Sequence, residues 1–220
     1  EMLRAPIRLA FLTEYPSQFP AWNMDWADRK QPPRGYVVGR PKVEVLETGP
    51  LRVALRVERQ SEGSFFTQTI RLAAGPSGER VEILNRIDWK STACSLKATF
   101  PLSVSNPKAT YSWGLGTIQR GNNHAQRYEV PTHSFIDLTD EKNDYGVALL
   151  TGAKYGSDKP TNDTLRLTLL FTPEVSGDYH EQRYQDWGRH DISYALVGHR
   201  GRFRNVDAHF QAERFEQPLL

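Results

Sequence analysis

From Leu51 to Arg59 the chain reads Leu-Arg-Val-Ala-Leu-Arg-Val-Glu-Arg, with apolar residues at the odd positions and mostly charged ones at the even. A period of two marks an extended strand, because successive side chains point to opposite faces. The expected strand has its odd face buried and its even face wet. Residues 64–72 repeat the pattern, with Phe66, Ile70 and Leu72 on one side. Gly75-Pro76-Ser77-Gly78 reads as a turn, and residues 79–89 resume with Val81, Ile83, Ile87 and Trp89 on one face. Further strands are expected at 95–101, 127–130, 135–138, 145–150, 164–171 and 189–197, and a short helix at 206–215. This spacing predicts an all-β chain with little helix, built as a large antiparallel two-sheet sandwich rather than from βαβ units.

At 220 residues the chain is long enough to bury a substantial core. It has no internal repeat and no low-complexity tract. Gln31-Pro32-Pro33-Arg34-Gly35 is the best hinge. Residues 1–35 are therefore expected to be an N-terminal arm and first strand packed on the same domain, and 36–220 one large β-domain. Lys plus Arg number 28 and Asp plus Glu 26, a net charge of +2. Without a concentrated basic face, a nucleic-acid partner is not expected. No apolar run approaches the roughly 20 residues that cross a bilayer, so no membrane partner is expected either. The first residues show no signal-peptide core, and Glu1 stands before Met2, so the chain reads as a fragment. The compartment stays open: the one cysteine, Cys94, allows no intrachain disulfide.

Residues able to carry chemistry are sparse. The histidines are His124, His133, His180, His190, His199 and His209, and no two form an HExxH or His-x-His pattern. Asp207-Ala208-His209 is the nearest approach to a metal pair, and a solvated face is its expected role. His190 and His199 are expected to be structural or surface groups. There is no Gly-x-Ser-x-Gly elbow and no Gly-rich phosphate loop. Cys94 is expected to be buried and inert. Trp22, Trp26, Trp113 and Trp187 could stack on sugars, but packing in a core or interface is the expectation for them. The best candidate is Gly152-Ala153-Lys154-Tyr155-Gly156-Ser157-Asp158, between two strong strands. Two glycines bracket a cation and an aromatic, and a carboxylate follows. A ring face, a Lys donor and an Asp acceptor suit a polyhydroxylated ligand, and a hairpin tip that meets only water is the other possibility.

Several segments in order carry a family resemblance. They are Ala21-Trp22-Asn23-Met24-Asp25, Glu44-Val45-Leu46-Glu47-Thr48-Gly49-Pro50-Leu51-Arg52, and Leu96-Lys97-Ala98-Thr99-Phe100-Pro101. Glu129-Val130-Pro131-Thr132-His133-Ser134-Phe135-Ile136-Asp137-Leu138 is the most specific block. Asp144-Tyr145-Gly146-Val147-Ala148-Leu149-Leu150 and Lys154-Tyr155-Gly156 follow, then Asp158, Asp186, Gly188, His190 and Tyr194-Ala195-Leu196. Together they resemble the C-terminal β-region of glycoside hydrolase family 38, the α-mannosidases. Ser134-Phe135 stands where that family usually has Arg-Trp, and Thr151-Gly152-Ala153 where it has Asn-Asp-Cys.

The resemblance implies a supersandwich like that of galactose mutarotase, cut from a larger retaining glycosidase that cleaves terminal α-mannosyl linkages. It implies that the zinc ion and the aspartate nucleophile belong to an N-terminal domain absent from this chain. No cofactor and no catalytic residue are therefore expected here, and the chain alone is expected to be inactive. Its expected partners are α-mannosides and the other domains of the same polypeptide. Lys154, Tyr155 and Asp158 are expected at the edge of the sugar cleft. The alternatives are a stand-alone carbohydrate-binding sandwich and a structural interaction domain.

Overall fold

The alternation along residues 51–89 becomes three strands in sequence: β4 (Arg52–Ser61), β5 (Ser64–Ala73) and β6 (Arg80–Trp89) in a computed structural model that describes residues 1–175, 177–201 and 208–217. Glu62 and Gly63 join β4 to β5, both at positive φ, 48° and 78°. That pair of conformations belongs to the tight hairpin turn whose twist matches the strands it joins.

Before these strands come β1 (Arg8–Thr13), a one-turn helix α1 (Trp26–Arg29), β2 (Gly35–Tyr36) and β3 (Lys42–Thr48). After them come β7 (Cys94–Pro101), β8 (Ala109–Trp113), β9 (Gly116–Arg120), β10 (Val130–Pro131), β11 (Phe135–Asp140) and β12 (Tyr145–Leu150). The described residues end with β13 (Gly156–Thr161), β14 (Thr164–Thr172), β15 (Gly188–Arg200) and α2 (Ala208–Glu216). The strands form two sheets with antiparallel pairing. One has six strands in the order β10-β13-β14-β7-β1-β2, the other nine in the order β3-β4-β5-β6-β15-β12-β11-β8-β9.

The two sheets bury their facing side chains against each other. Phe11 of β1 stacks on Trp89 of β6 at 6.1 Å, and Phe100 of β7 meets Tyr194 of β15 edge-on at 5.3 Å. Leu96, Ile136, Leu149 and Leu167 fill the space between. Each such side chain contributes roughly 1.5–3 kcal/mol by leaving water. The Trp89 indole N–H donates to Thr172 Oγ1 at 2.8 Å, so burying it leaves no orphan donor. On the outer face of the large sheet, Ala208 and Ala212 of α2 pack on Phe135, Ala148, Leu150 and Val197.

Three expectations need correction. The odd face of β4 is not buried: Val53 and Leu55 are exposed, because the smaller sheet does not extend over them. The strand expected at 127–130 shrinks to Val130–Pro131. His124 and Arg127 bond to each other through both backbone groups, at 3.0 and 2.8 Å, which removes those groups from any ladder. The stretch 156–158, read as part of a loop, is the start of β13, a strand that alternation could not reveal because it reads Gly-Ser-Asp-Lys-Pro-Thr. The helix expected at 206–215 is present from Ala208, while Val206 and Asp207 lie outside the described residues.

Candidate functional site

The turn from β12 to β13 carries the candidate residues. Thr151 anchors its first limb: its N–H donates to the Ser134 carbonyl at 3.0 Å and its hydroxyl to the His133 carbonyl at 3.1 Å. Gly152 and Ala153 then take φ of 53° and 63°, and the Lys154 N–H closes the turn on the Thr151 carbonyl at 3.1 Å. A Cβ on Gly152 would collide with the Ser193 carbonyl oxygen of β15. Glycine is therefore required there both by conformation and by close approach.

The turn presents its side chains differently. Tyr155 is 54% exposed and stacks on the His133 ring at 6.0 Å. Its carbonyl accepts the Thr132 N–H at 2.8 Å. Lys154 is half-buried. Burial pulls its ammonium below the usual lysine range, and Asp186 opposes that pull. His133 also lines a cavity of about 700 Å³ with Ser112, Phe135, Phe210, Glu213 and Glu216. The cavity thus offers aromatic faces, hydroxyls and carboxylates beside the exposed Tyr155 ring.

Asp158 is elsewhere. It is fully buried in β13 and accepts from Lys97 Nζ at 2.7 Å, Asn123 Nδ2 at 2.7 Å and Arg166 Nε at 2.9 Å. Burial alone would push its carboxyl up. Lys97, Arg166 and Arg29 outweigh burial and hold it well below the usual carboxylate range. With its oxygens so engaged and no surface exposed, Asp158 does not face a ligand at the turn.

Sequence reasoning missed the cluster that holds Asp158. Lys97 also pairs with Glu129, which accepts the Thr168 hydroxyl. Beside them, Arg29 of α1 pairs with Glu14, which accepts the Ser95 hydroxyl at 2.6 Å. Three carboxylates, Glu14, Glu129 and Asp158, meet three cations, Arg29, Lys97 and Arg166. A run such as Ser95-Leu96-Lys97-Ala98 reads as one wet face. The only available signal was that the Trp-rich arm at 14–30 has to lie on something, and it lies here.

The remaining candidates have structural partners. His199 Nε2 contacts Asp137 Oδ1 at 2.6 Å with both side chains buried, and His190 Nε2 contacts the Asp186 carbonyl at 2.7 Å. Trp187 donates to the Ser91 carbonyl at 3.1 Å, and the Trp26 ring meets Tyr128 at 5.5 Å with the planes tilted by 42°. Trp22 stacks on Phe19 at 5.5 Å, and Arg120 lies over Trp113 at 5.2 Å. Cys94 is fully buried, and burial pushes its thiol up to about 12. Asp207, half of the Asp207–His209 pair, lies outside the described residues. Among those residues, no group of three or more His, Cys, Asp or Glu could hold a metal, so the described residues do not fit a catalytic zinc. No described helix is long and apolar enough to cross a membrane.

Two antiparallel sheets, a helix on one outer face and an ionic cluster on the other define a β-sandwich domain. The family described as Glycosyl hydrolases family 38 C-terminal domain matches residues 1–175, and the chain belongs to that family. Alpha-mannosidase 2C1 of Mus musculus is 34% identical over 145 residues, 64% of this chain and 13% of that protein. An Alpha-mannosidase of Saccharomyces cerevisiae is 31% identical over 128 residues, 56% of this chain and 11% of that protein. The chain thus matches only a small part of the curated relatives' length. Among solved structures, a protein in the glycosyl hydrolase family 38 from Enterococcus faecalis superposes with a TM-score of 0.67 at 12% identity. It covers 81% of this chain and 25% of that one. An alpha-mannosidase from Enterococcus faecalis V583 gives 0.68 at 11% identity, covering 81% and 24%. At such identities the likeness concerns the fold.

Proposed function

We propose that this chain is the β-domain of an α-mannosidase, a polypeptide that cleaves terminal α-mannosyl linkages, and that it supports the sugar site without supplying the reacting groups. The observation that carries this reading is the family match over residues 1–175, together with relatives that bear the name alpha-mannosidase. The zinc and the nucleophile then belong to the rest of the polypeptide, and the partners of this domain are α-mannosides and its sister domains.

Within that reading, Lys154 and Tyr155 stand at the edge of the sugar cleft, and Asp158 holds β13 in place behind them. What supports this is the exposed Tyr155 ring stacked on His133, the cavity His133 lines, and the rigid path through Gly152. A charged hydrogen bond to a ligand is worth on the order of 1.5–3 kcal/mol. Lys154→Ala in the full-length enzyme should therefore lower kcat/KM for an aryl α-mannoside by roughly 10- to 150-fold. Tyr155→Ala should lower it through loss of the stacking face, and neither change should move the melting temperature much. A turn that meets only water would cost less than about 0.5 kcal/mol. If both variants keep wild-type kinetics, these residues have no part in sugar binding.

A further inference from the structure

One row of directly paired residues crosses five strands of the large sheet: Val45 of β3, Leu55 of β4, Ile70 of β5, Ile83 of β6 and Tyr194 of β15. All five side chains share a face. Ile83 and Tyr194 are buried under the smaller sheet, where Tyr194 meets Phe100. Leu55 is 42% exposed and Val45 59%, and Val43, Val53 and Leu72 beside them are exposed too. The opposite face carries the ion pairs Glu44–Arg56, Lys42–Glu58 and Arg71–Glu82, so that side is the one built for water. The core face therefore continues past the edge of its own cover, and a contiguous apolar surface of this kind marks an interaction site.

The cover stops at an open sheet edge. Beyond β1 the smaller sheet has only the two residues of β2. The Val37 N–H turns inward to the Leu9 carbonyl at 2.8 Å, so by alternation the Tyr36 N–H aims outward. A groove of about 390 Å³ opens there, between Leu9, Tyr36 and Val37 on one side and Arg59 and Gln68 on the other.

We propose that extended strands from the remainder of the same polypeptide add to the smaller sheet beyond β2, and that their apolar side chains cover Val43, Val45, Val53, Leu55, Ile70 and Leu72. Strand addition satisfies the open backbone edge and the bare face together. A second copy stacked on the bare face would cover the row and leave the edge of β2 unpaired. The curated relatives have chain to spare for such strands, since the matched 145 residues make up 13% of the mouse protein. The bare row is also continuous with the established core between the sheets.

The test compares Leu55→Lys with Thr67→Lys, whose side chain lies on the opposite face, in the full-length protein and in residues 1–220. Covering strands would force the new lysine into an apolar layer, at a cost of several kcal/mol. Leu55→Lys should then lower the melting temperature of full-length protein by on the order of 10 °C, or abolish soluble protein. The same change should leave residues 1–220 near wild type, and Thr67→Lys should be mild in both. Hydrogen exchange on unsubstituted full-length protein gives a second readout: the Tyr36 amide should exchange at least about 100-fold more slowly than an open one. Rapid exchange at Tyr36, or a full-length protein indifferent to Leu55→Lys, overturns the proposal. So does a dimer of residues 1–220 that Leu55→Lys dissociates, which would assign the face to a second copy.

Discussion

Asp158 is held by Lys97, Asn123 and Arg166 without contact with water. Removing one partner of a buried ion pair leaves the others uncompensated, at about 3–5 kcal/mol. Asp158→Asn should therefore lower the melting temperature by roughly 6–20 °C at pH 7, given about 2–4 °C per kcal/mol for a chain of this size. The pH dependence has a definite sign. The folded carboxyl is held well below its unfolded value. Its contribution is thus complete above the unfolded pKa, near 3.9, and fades as pH falls toward the folded one. The gap between wild type and Asp158→Asn should narrow below about pH 4. A gap that is constant from pH 7 to pH 2.5, in thermal melts of both proteins, would show that the carboxylate's charge is not what stabilises β13. The same residue shows why the turn was only half legible. Gly152 signalled a tight path correctly, but the partners of Asp158 lie 61 and 35 residues away, on β7 and in the loop before β10.

At the scale of elements, α2 tests how independent the parts are. Ala212 is fully buried against the outer face of β11, β12 and β15. A carboxylate there would have to lose its water or leave, and a short docked helix can leave. Ala212→Glu should thus cost no more than the docking of α2 is worth, while the strands keep their ladder. Limited proteolysis should cut near α2 in the variant and spare it in wild type, with the far-UV strand signal retained. Equal resistance in both would mean that Ala212 is not a docking contact. α2 was foreseen from its composition to within a turn, whereas β13 was not. An element is legible when its own residues sort by polarity, and in β13 the buried positions are a serine, an aspartate and a lysine.

For the molecule as a whole, the two sheets share one continuous core from Phe11 to Tyr194. Residues 1–220 should fold on their own and melt cooperatively with a strand-dominated far-UV spectrum. They should bind no stoichiometric zinc and should not hydrolyse aryl α-mannosides, because the described residues offer no metal-ligating group of three or more. Near-equimolar zinc by elemental analysis, with turnover that a chelator removes, would contradict this. A helix-rich spectrum would contradict the fold.

The sequence by itself determined the long alternating strands, the all-β class and the family, while β3, β8, β9 and β13 and the bounds of β1 emerged only in the fold. Side-chain direction along a strand depends only on neighbouring residues, so alternation is visible in one dimension, and ordered motifs such as Glu129–Leu138 carry lineage without any fold. It could not say which apolar face is covered. Leu55 and Ile83 are equally apolar and equally in phase, yet one lies under the smaller sheet and the other beyond its edge. Nor could it place Asp158, whose charge reads as surface until Lys97 and Arg166 arrive beside it. Burial is a relation between layers brought together from distant parts of the chain, and only the tertiary structure decides where the second layer stops.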